Sequence, residues 1–254
     1  MRKPDWVIDK ERARRAEAQA TLWLYGLHAV RDALLNPARE KLRLVATRNA
    51  LGRLGEAATA MEAEIADARR FPVPLAPDSV HQGAALEVRP LDWGDVEDHA
   101  DGRPLVLLDR VTDPHNVGAV LRSAEVFGAG AVIAPARHSA PETGALAKAA
   151  SGALERQPYL RVPNLADAMG SLQKAGYALV GLDGAADSGL EAALAGVAPR
   201  PVGLVLGAEG EGLRERTRLT CDALARIEAA GAFGSLNVSN AAAVALYAAS
   251  RRGR

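Results

Sequence analysis

Residues 105–124 read LVLLDRVTDPHNVGAVLRSA. The apolar run Leu105 to Leu108 makes a short strand that stops at Asp109, and Asp113 and Pro114 turn the chain into a helix opening near His115 and Asn116. Proline fixes its own φ and keeps the residue before it out of the helical region, while an asparagine at the helix start has the chemistry to cap free N–H groups. Val117, Val120, Leu121 and Ala124 recur at helical spacing, so they form the buried stripe and leave Asn116 and Arg122 off it. The unit reads strand, loop, helix. Its polar residues sit at a strand's carboxyl end, the edge where open α/β sheets bind ligands.

The same alternation continues outward. Residues 131–134, 178–182 and 202–206 are further apolar runs, and helical patterns lie near 116–127, 142–152, 165–175, 212–223 and 239–251. This is the signature of an α/β domain with a mostly parallel sheet covered on both faces. No internal repeat and no low-complexity tract interrupts it.

Toward the N-terminus a smaller α/β unit is expected. Residues 25–35 are periodic and stop before Pro37, 42–46 form a short strand, 51–70 read as a helix with a charged face, and 80–88 return to a strand that is best between 85 and 88. Residues 72–77 alternate with proline and are extended. The polar, acidic stretch GDVEDHADGRP, 94–104, reads as a linker. The expected organisation is therefore a charged tail over 1–20, a small domain over 21–93, the linker 94–104 and a larger domain over 105–254. Residues 1–20 hold six basic and four acidic side chains with little apolar periodicity, so a mobile or marginally helical basic tail is expected there and not a signal peptide.

Composition limits the chemistry. The chain has 254 residues, 48% hydrophobic and only 4% aromatic, which suits close backbone packing around small residues. Formal net charge is zero, so any polyanion site must be a local basic patch. The single cysteine, Cys221, leaves no internal disulfide or cysteine cluster, as a reducing cytoplasmic setting would suit. The uncharged run between Glu228 and Arg251 carries Gly231, Gly234, Ser235, Asn237, Ser239 and Asn240, too polar for a membrane span. No GxGxxG follows a strand, and Walker A, GxSxG and HExxH motifs are missing. The five histidines are scattered, so no metal site is expected.

What remains is three polar loops at strand ends. The first is Asn116-x-Gly118-x-x-x-Arg122. The second is LVLGAEGEGL, where Leu206 runs into Gly207, Glu209, Gly210 and Gly212; by itself it reads as an ordinary strand-to-helix turn. The third is IEAAGAFGSLNVSNAAAVALYAAS, where Ser239 or Asn240 is expected to cap a helix, although capping does not account for Ser235 and Asn237 as well.

Taken together, the three loops resemble the SpoU (TrmH) family of RNA ribose 2′-O-methyltransferases in the SPOUT superfamily. Asn116, Gly118 and Arg122 carry the first motif, Gly207, Glu209 and Gly212 the second, and Ser235, Leu236, Asn237 and Ser239 the third. The similarity spans about 105–252. LYGLHAVRDAL and VHQGAALEV make the N-terminal unit resemble the small L30e-like substrate-binding domain of the subgroup that modifies a guanosine in bacterial large-subunit ribosomal RNA.

The resemblance implies a trefoil-knotted sheet, a homodimer with active sites at the subunit interface, and S-adenosyl-L-methionine as cofactor. It implies ribosomal RNA as substrate, with transfer RNA or a noncatalytic ribosome-assembly role as the competing readings. Leu206, Gly207, Ile227, Ala229 and Leu236 correspond to the cofactor side, with Gly181 to Gly184 as a further wall. Arg122 corresponds to the family's candidate for activating the ribose hydroxyl; because a guanidinium stays protonated, it is expected to orient that hydroxyl and a neighbouring phosphate, with another group taking the proton. Asn116 is expected to position Arg122 or the ribose, Glu209 to hold Arg122 or its own loop, and Ser235 and Asn237 to complete the catalytic set. Glu228 stands where the family often has proline, and a charge is thereby expected beside the adenosine pocket.

Overall fold

The computed structural model describes residues 20–67, 69–76, 79–230 and 236–252. Ser235, with Gly231 and Gly234, lies outside the described residues, as do residues 1–19 and Pro77.

The first part of the chain forms β1 (Leu22–Tyr25), α1 (Leu27–Leu35), β2 (Lys41–Ala46), α2 (Arg48–Leu54), β3 (Ala63–Ile65) and β4 (Ala84–Val88). Then follow β5 (Leu105–Asp109), α3 (Pro114–Val126), β6 (Ala131–Pro135), α4 (Gly144–Ala150), β7 (Tyr159–Val162) and α5 (Leu165–Lys174). The remainder is β8 (Ala178–Leu182), α6 (Leu190–Gly196), β9 (Val202–Gly207), α7 (Glu215–Thr220), β10 (Ala223–Ala225) and α8 (Val238–Ser250). Among the described residues no helix is long and apolar enough to cross a membrane.

Two compact units result, Met1–Asp92 with Glu142–Glu155, and Trp93–Pro141 with Arg156–Arg254. The first is a four-stranded sheet in the order β1-β4-β2-β3, with β4 antiparallel to β1 and β2 and β3 parallel to β2. A single cut in the sequence does not describe this unit, because it also takes in α4. Arg39, 2% exposed, fastens that segment: its Nε and a terminal nitrogen donate to Glu155 at 3.0 and 2.8 Å, and the other terminal nitrogen donates to Glu142 at 2.8 Å. The long helix expected over 51–70 is not formed. α2 stops at Leu54, Gly55 adopts φ +59°, a 3-10 turn covers Gly55–Ala60, and Ala63–Ile65 pairs with β2. Glycine accepts the left-handed φ that ends the helix, and pairing with β2 then outweighs the helical propensity of the alanine-rich segment.

The second unit is a six-stranded parallel sheet in the order β10-β8-β9-β5-β6-β7. All five residues of β5 are buried, as a central parallel strand requires. Leu105, Leu107, Ile133, Met169, Leu172, Tyr177, Leu179 and Val205 fill one core layer. On α3, Val117, Val120, Leu121 and Ala124 are fully buried, as the helical spacing predicts. On α8, Ala242, Ala245 and Leu246 are fully buried, and this helix packs on α3, α6 and β9, so its alanines bring elements of the same chain close together.

The expected linker at 94–104 belongs to this second core. Val96 is buried in it, Asp95 and Asp98 close a capping box around a 3-10 turn at Val96–His99, and the Tyr177 hydroxyl accepts from Gly102 N–H and donates to Arg103 carbonyl, both at 2.9 Å. Two of its acidic residues, Asp95 and Asp98, cap the turn, and Asp101 pairs with Arg103. β7, β10 and α6 were not expected: each is short, and β7 and β10 are the edges of the sheet.

Candidate active site

Successive strands run outward from β5 to β6 and β7, and the chain then returns to the other side of β5 to lay down β8, β9 and β10. Connections therefore leave β5 and β9 in opposite directions, which opens a crevice at their carboxyl ends. Asp109 and Gly207 face each other there in register.

α3 starts at this edge. Its N-cap is Asp113, whose carboxylate accepts from His115 N–H at 3.0 Å, with Pro114 as the first helical residue. This corrects the expectation that Asn116 caps the helix and frees the Asn116 side chain for another partner. The Asn116 amide donates to Glu209 Oε1 at 3.0 Å, and the Asn237 amide donates to Asn116 Oδ1 at 2.9 Å and also to Glu209 Oε1. Asn237 is the N-cap of α8, accepting from Ser239 N–H at 2.9 Å and from the Ser239 hydroxyl at 2.5 Å. The cap expected at Ser239 or Asn240 thus falls to Asn237. One residue from each polar loop meets the other two in a closed hydrogen-bonded trio.

The Glu209 loop is held at both ends. Gly207 has no room for a side chain, since a Cβ there would lie 2.0 Å from the carbonyl carbon of Gly212, and Gly212 N–H returns to Ala208 carbonyl at 2.9 Å. Beyond the loop, Arg214 donates to the fully buried Asp109 carboxylate through its backbone N–H at 3.1 Å and its Nε at 2.7 Å. Asp109 thus joins the start of the loop, through the sheet, to its end. Sequence reading took Asp109 only as a strand terminus; an acid at the end of an apolar strand, with an arginine two residues past a glycine loop, was the available signal.

A cavity of about 690 Å³ lies along the ends of β10, β8 and β9 and the start of α8, within the roughly 300–1,000 Å³ range of small-molecule sites. Leu206, Gly207, Ile227 and Leu236, expected on the cofactor side, line it, together with Glu209 and Asn237. Two expected residues do not line it. Gly181 is buried inside β8, where a Cβ would meet Leu224, Cys221 and Leu213 at 2.8–2.9 Å, and Ala229 is exposed beyond the lining. The wall foreseen at 181–184 begins at Leu182 and includes Asp183 and Gly184. Sequence reading also missed Arg226, whose guanidinium donates to Ala186 and Asp187 carbonyls at 2.7 and 2.9 Å. Glu228 does not itself line the cavity, although its neighbour Ile227 does: it is exposed, and a Cβ on Gly189 would come within 2.9 Å of its Oε1.

The Arg122 side chain is exposed on α3 and makes no hydrogen bond or ion pair with a described residue, so Glu209 holds Asn116 and Asn237 rather than Arg122. The Cys221 thiol is held in its protonated form. Burial pushes its thiol up to about 12, with the carboxylates of Asp222 and Asp109 adding to the effect.

With these three loops joined at one sheet edge, comparison with known proteins is decisive. The SpoU rRNA Methylase family model matches residues 103–247. The chain belongs to the SpoU rRNA methylase family. Among SpoU relatives, the chain is 40% identical over 250 residues to a 23S rRNA (guanosine-2′-O-)-methyltransferase RlmB from Vibrio vulnificus, covering 91% of this chain and 96% of that one. It is 41% identical over 242 residues to the protein of the same description from Pseudomonas syringae pv. tomato, covering 90% and 95%. The SpoU methyltransferase AviRb from Streptomyces viridochromogenes, solved in complex with the cofactor AdoMet, superposes with a TM-score of 0.74 at 26% identity over 92% of each chain.

Proposed function

We propose that this SpoU protein methylates the 2′-hydroxyl of a guanosine ribose in 23S ribosomal RNA, using S-adenosyl-L-methionine. The observation that carries the reading is the Asn116–Glu209–Asn237 trio, which sits at the rim of a cavity suited to such a cofactor. The fit rests on the donor set: Leu206, Ile227, Leu236 and Val238 offer an apolar wall to an adenine, and Glu209 and Asp183 bring carboxylates to a ligand that carries a sulfonium and an ammonium. When bound, the cofactor supplies an electrophilic methyl group.

The chain's own residues then have to orient the hydroxyl. A guanidinium is a donor-only cation, so Arg122 orients the ribose oxygen and a neighbouring phosphate rather than acting as a base. Asn116 and Asn237, locked by Glu209, hold the geometry of the ribose-facing rim, and the third motif alone adds Ser235 to the catalytic set. The reacting set is thereby preorganised rather than assembled on collision.

A homodimer is part of the proposal. Val126, Val244 and Tyr247 are 75%, 41% and 55% exposed on the packed pair α3 and α8, and Phe127 and Tyr247 stack edge to face with ring centroids 5.9 Å apart. An apolar patch of this kind suits a second copy of the chain. It lies on the same helix as Arg122 and so agrees with active sites near a subunit interface. In the same reading the N-terminal unit is an L30e-like element that selects the RNA, the larger unit carries the trefoil knot, and the protein works in the cytoplasm.

Arg122→Ala tests the assignment. Because its side chain is exposed, the variant folds, and its rate of methyl transfer from labelled cofactor to a 23S rRNA transcript falls on the order of 10²-fold, as for loss of one preorganised polar group. A rate near wild type contradicts the role.

A further inference from the structure

The C-terminal edge of the sheet orders the cavity. β8 lies between β10 and β9, so the segment following β8 separates Ile227, just past β10, from Glu209, just past β9. A cofactor whose adenine rests on the apolar Ile227 side and whose sulfonium points to the Asn116–Glu209–Asn237 rim has only one part long enough to link the two: its ribose. The ribose of such a ligand would then lie against the end of β8. The residue there is Asp183.

The Asp183 carboxylate is built for such a contact. It lines the cavity, and its backbone N–H is fixed to Ala225 carbonyl of β10 at 2.9 Å. Oδ1 accepts from Ala185 N–H at 2.9 Å and Oδ2 from Arg218 Nε at 2.9 Å, so both oxygens are oriented before any ligand arrives. A carboxylate has about four acceptor positions, and these two bonds leave lone pairs for two further donors. Beside it Gly184 leaves open space, with nothing within 4 Å of where a Cβ would stand. Vicinal hydroxyls present two donors at the spacing one carboxylate can accept. We propose that Asp183 binds the 2′,3′-diol of the cofactor's ribose and, with Arg218 as its positioning partner, makes the pocket selective for a ribonucleoside ligand. This rests on the methyltransferase reading above.

Calorimetric titration of the full-length protein with S-adenosylhomocysteine and with its 2′,3′-dideoxyribose analogue tests it without measuring turnover. Wild type is expected to bind the intact ligand on the order of 10-fold or more tightly than the dideoxy analogue, the ratio that loss of a hydrogen bond to a charged group gives. Asp183→Ala is expected to bind both ligands alike, at the wild-type affinity for the analogue. Arg218→Ala, which removes the ion pair and leaves the carboxylate, is expected to keep a preference for the intact ligand. Discrimination that persists in Asp183→Ala overturns the assignment. A preference in Arg218→Ala as large as in wild type overturns the positioning role given to that arginine. If wild type binds neither ligand, the cofactor reading itself falls and this inference falls with it; if wild type binds both equally, only the diol contact is lost.

Discussion

Asn237 does two jobs with one side chain. Its Oδ1 caps α8 through Ser239, and its amide nitrogen bridges Asn116 and Glu209. A capping asparagine would ordinarily end its role there, but the crowd of polar residues at the start of α8 exceeds what one cap needs. The excess was legible in the sequence. Which residue capped and which reached across was not, because a cap is chosen by backbone geometry at one position, and Asp113 and Asn237 won it over Asn116 and Ser239. Since both asparagines share Glu209 Oε1, their contributions are coupled. Asn116→Ala and Asn237→Ala are each expected to slow methyl transfer on the order of 10-fold, while the double variant loses less than the product of the two. Strict additivity in initial-rate measurements of the three variants contradicts a shared network.

At the scale of elements, the region joining β8, α5 and β10 is tied by Asp222. Its Oδ2 accepts from Leu179 N–H at 2.8 Å and the Gln173 amide at 3.1 Å, and Oδ1 pairs with Arg200 at 3.0 Å. Burial pushes this carboxyl's pKa up, but the bonds from Leu179 and Gln173 and the guanidinium of Arg200 outweigh it and hold the pKa below the ordinary carboxylate value. A depressed folded-state pKa means that the unfolded chain binds the proton more readily. The stabilisation is therefore present above the unfolded value, near 4, and is lost as pH falls through the folded one. Urea unfolding of wild type and Asp222→Asn is expected to show a stability gap at pH 7 that closes below about pH 4. A gap that stays constant between those values contradicts the account.

The same region shows which elements sequence alone can specify. β5, β8 and β9 were legible as continuous apolar runs because a central parallel strand is buried on both faces. Edge strands carry no such mark: Tyr159–Val162 includes Arg161, and Ala223–Ala225 is three residues long. The 51–70 stretch misled for the opposite reason, since its helical composition is local and its pairing with β2 is not.

For the whole molecule, the site depends on residues 93 and 121 positions apart meeting at one sheet edge. Family resemblance implied that meeting; periodicity supplied only three loops at strand ends. No motif indicated Arg226 or the anchoring part of Asp109, and Asp183 stood only as one position of the expected 181–184 wall; the importance of all three comes from where the sheet order puts them. Nor did any motif indicate that Glu142–Glu155 would fold into the N-terminal unit through Arg39. The proposed dimer also belongs at this scale. Light scattering is expected to report a dimer for wild type and a monomer for Tyr247→Asp, because a charge in a desolvated apolar interface goes uncompensated. A wild-type monomer contradicts that part of the proposal.

The central claim is that this protein places a methyl group on a guanosine ribose of 23S rRNA. Mapping ribose methylation across ribosomal and transfer RNA, in cells with the gene, without it, and complemented by wild type or Arg122→Ala, tests it most directly. The account predicts that one 2′-O-methylguanosine disappears from 23S rRNA without the gene and returns with wild type but not with Arg122→Ala. An unchanged 23S rRNA pattern in the cells lacking the gene would contradict it.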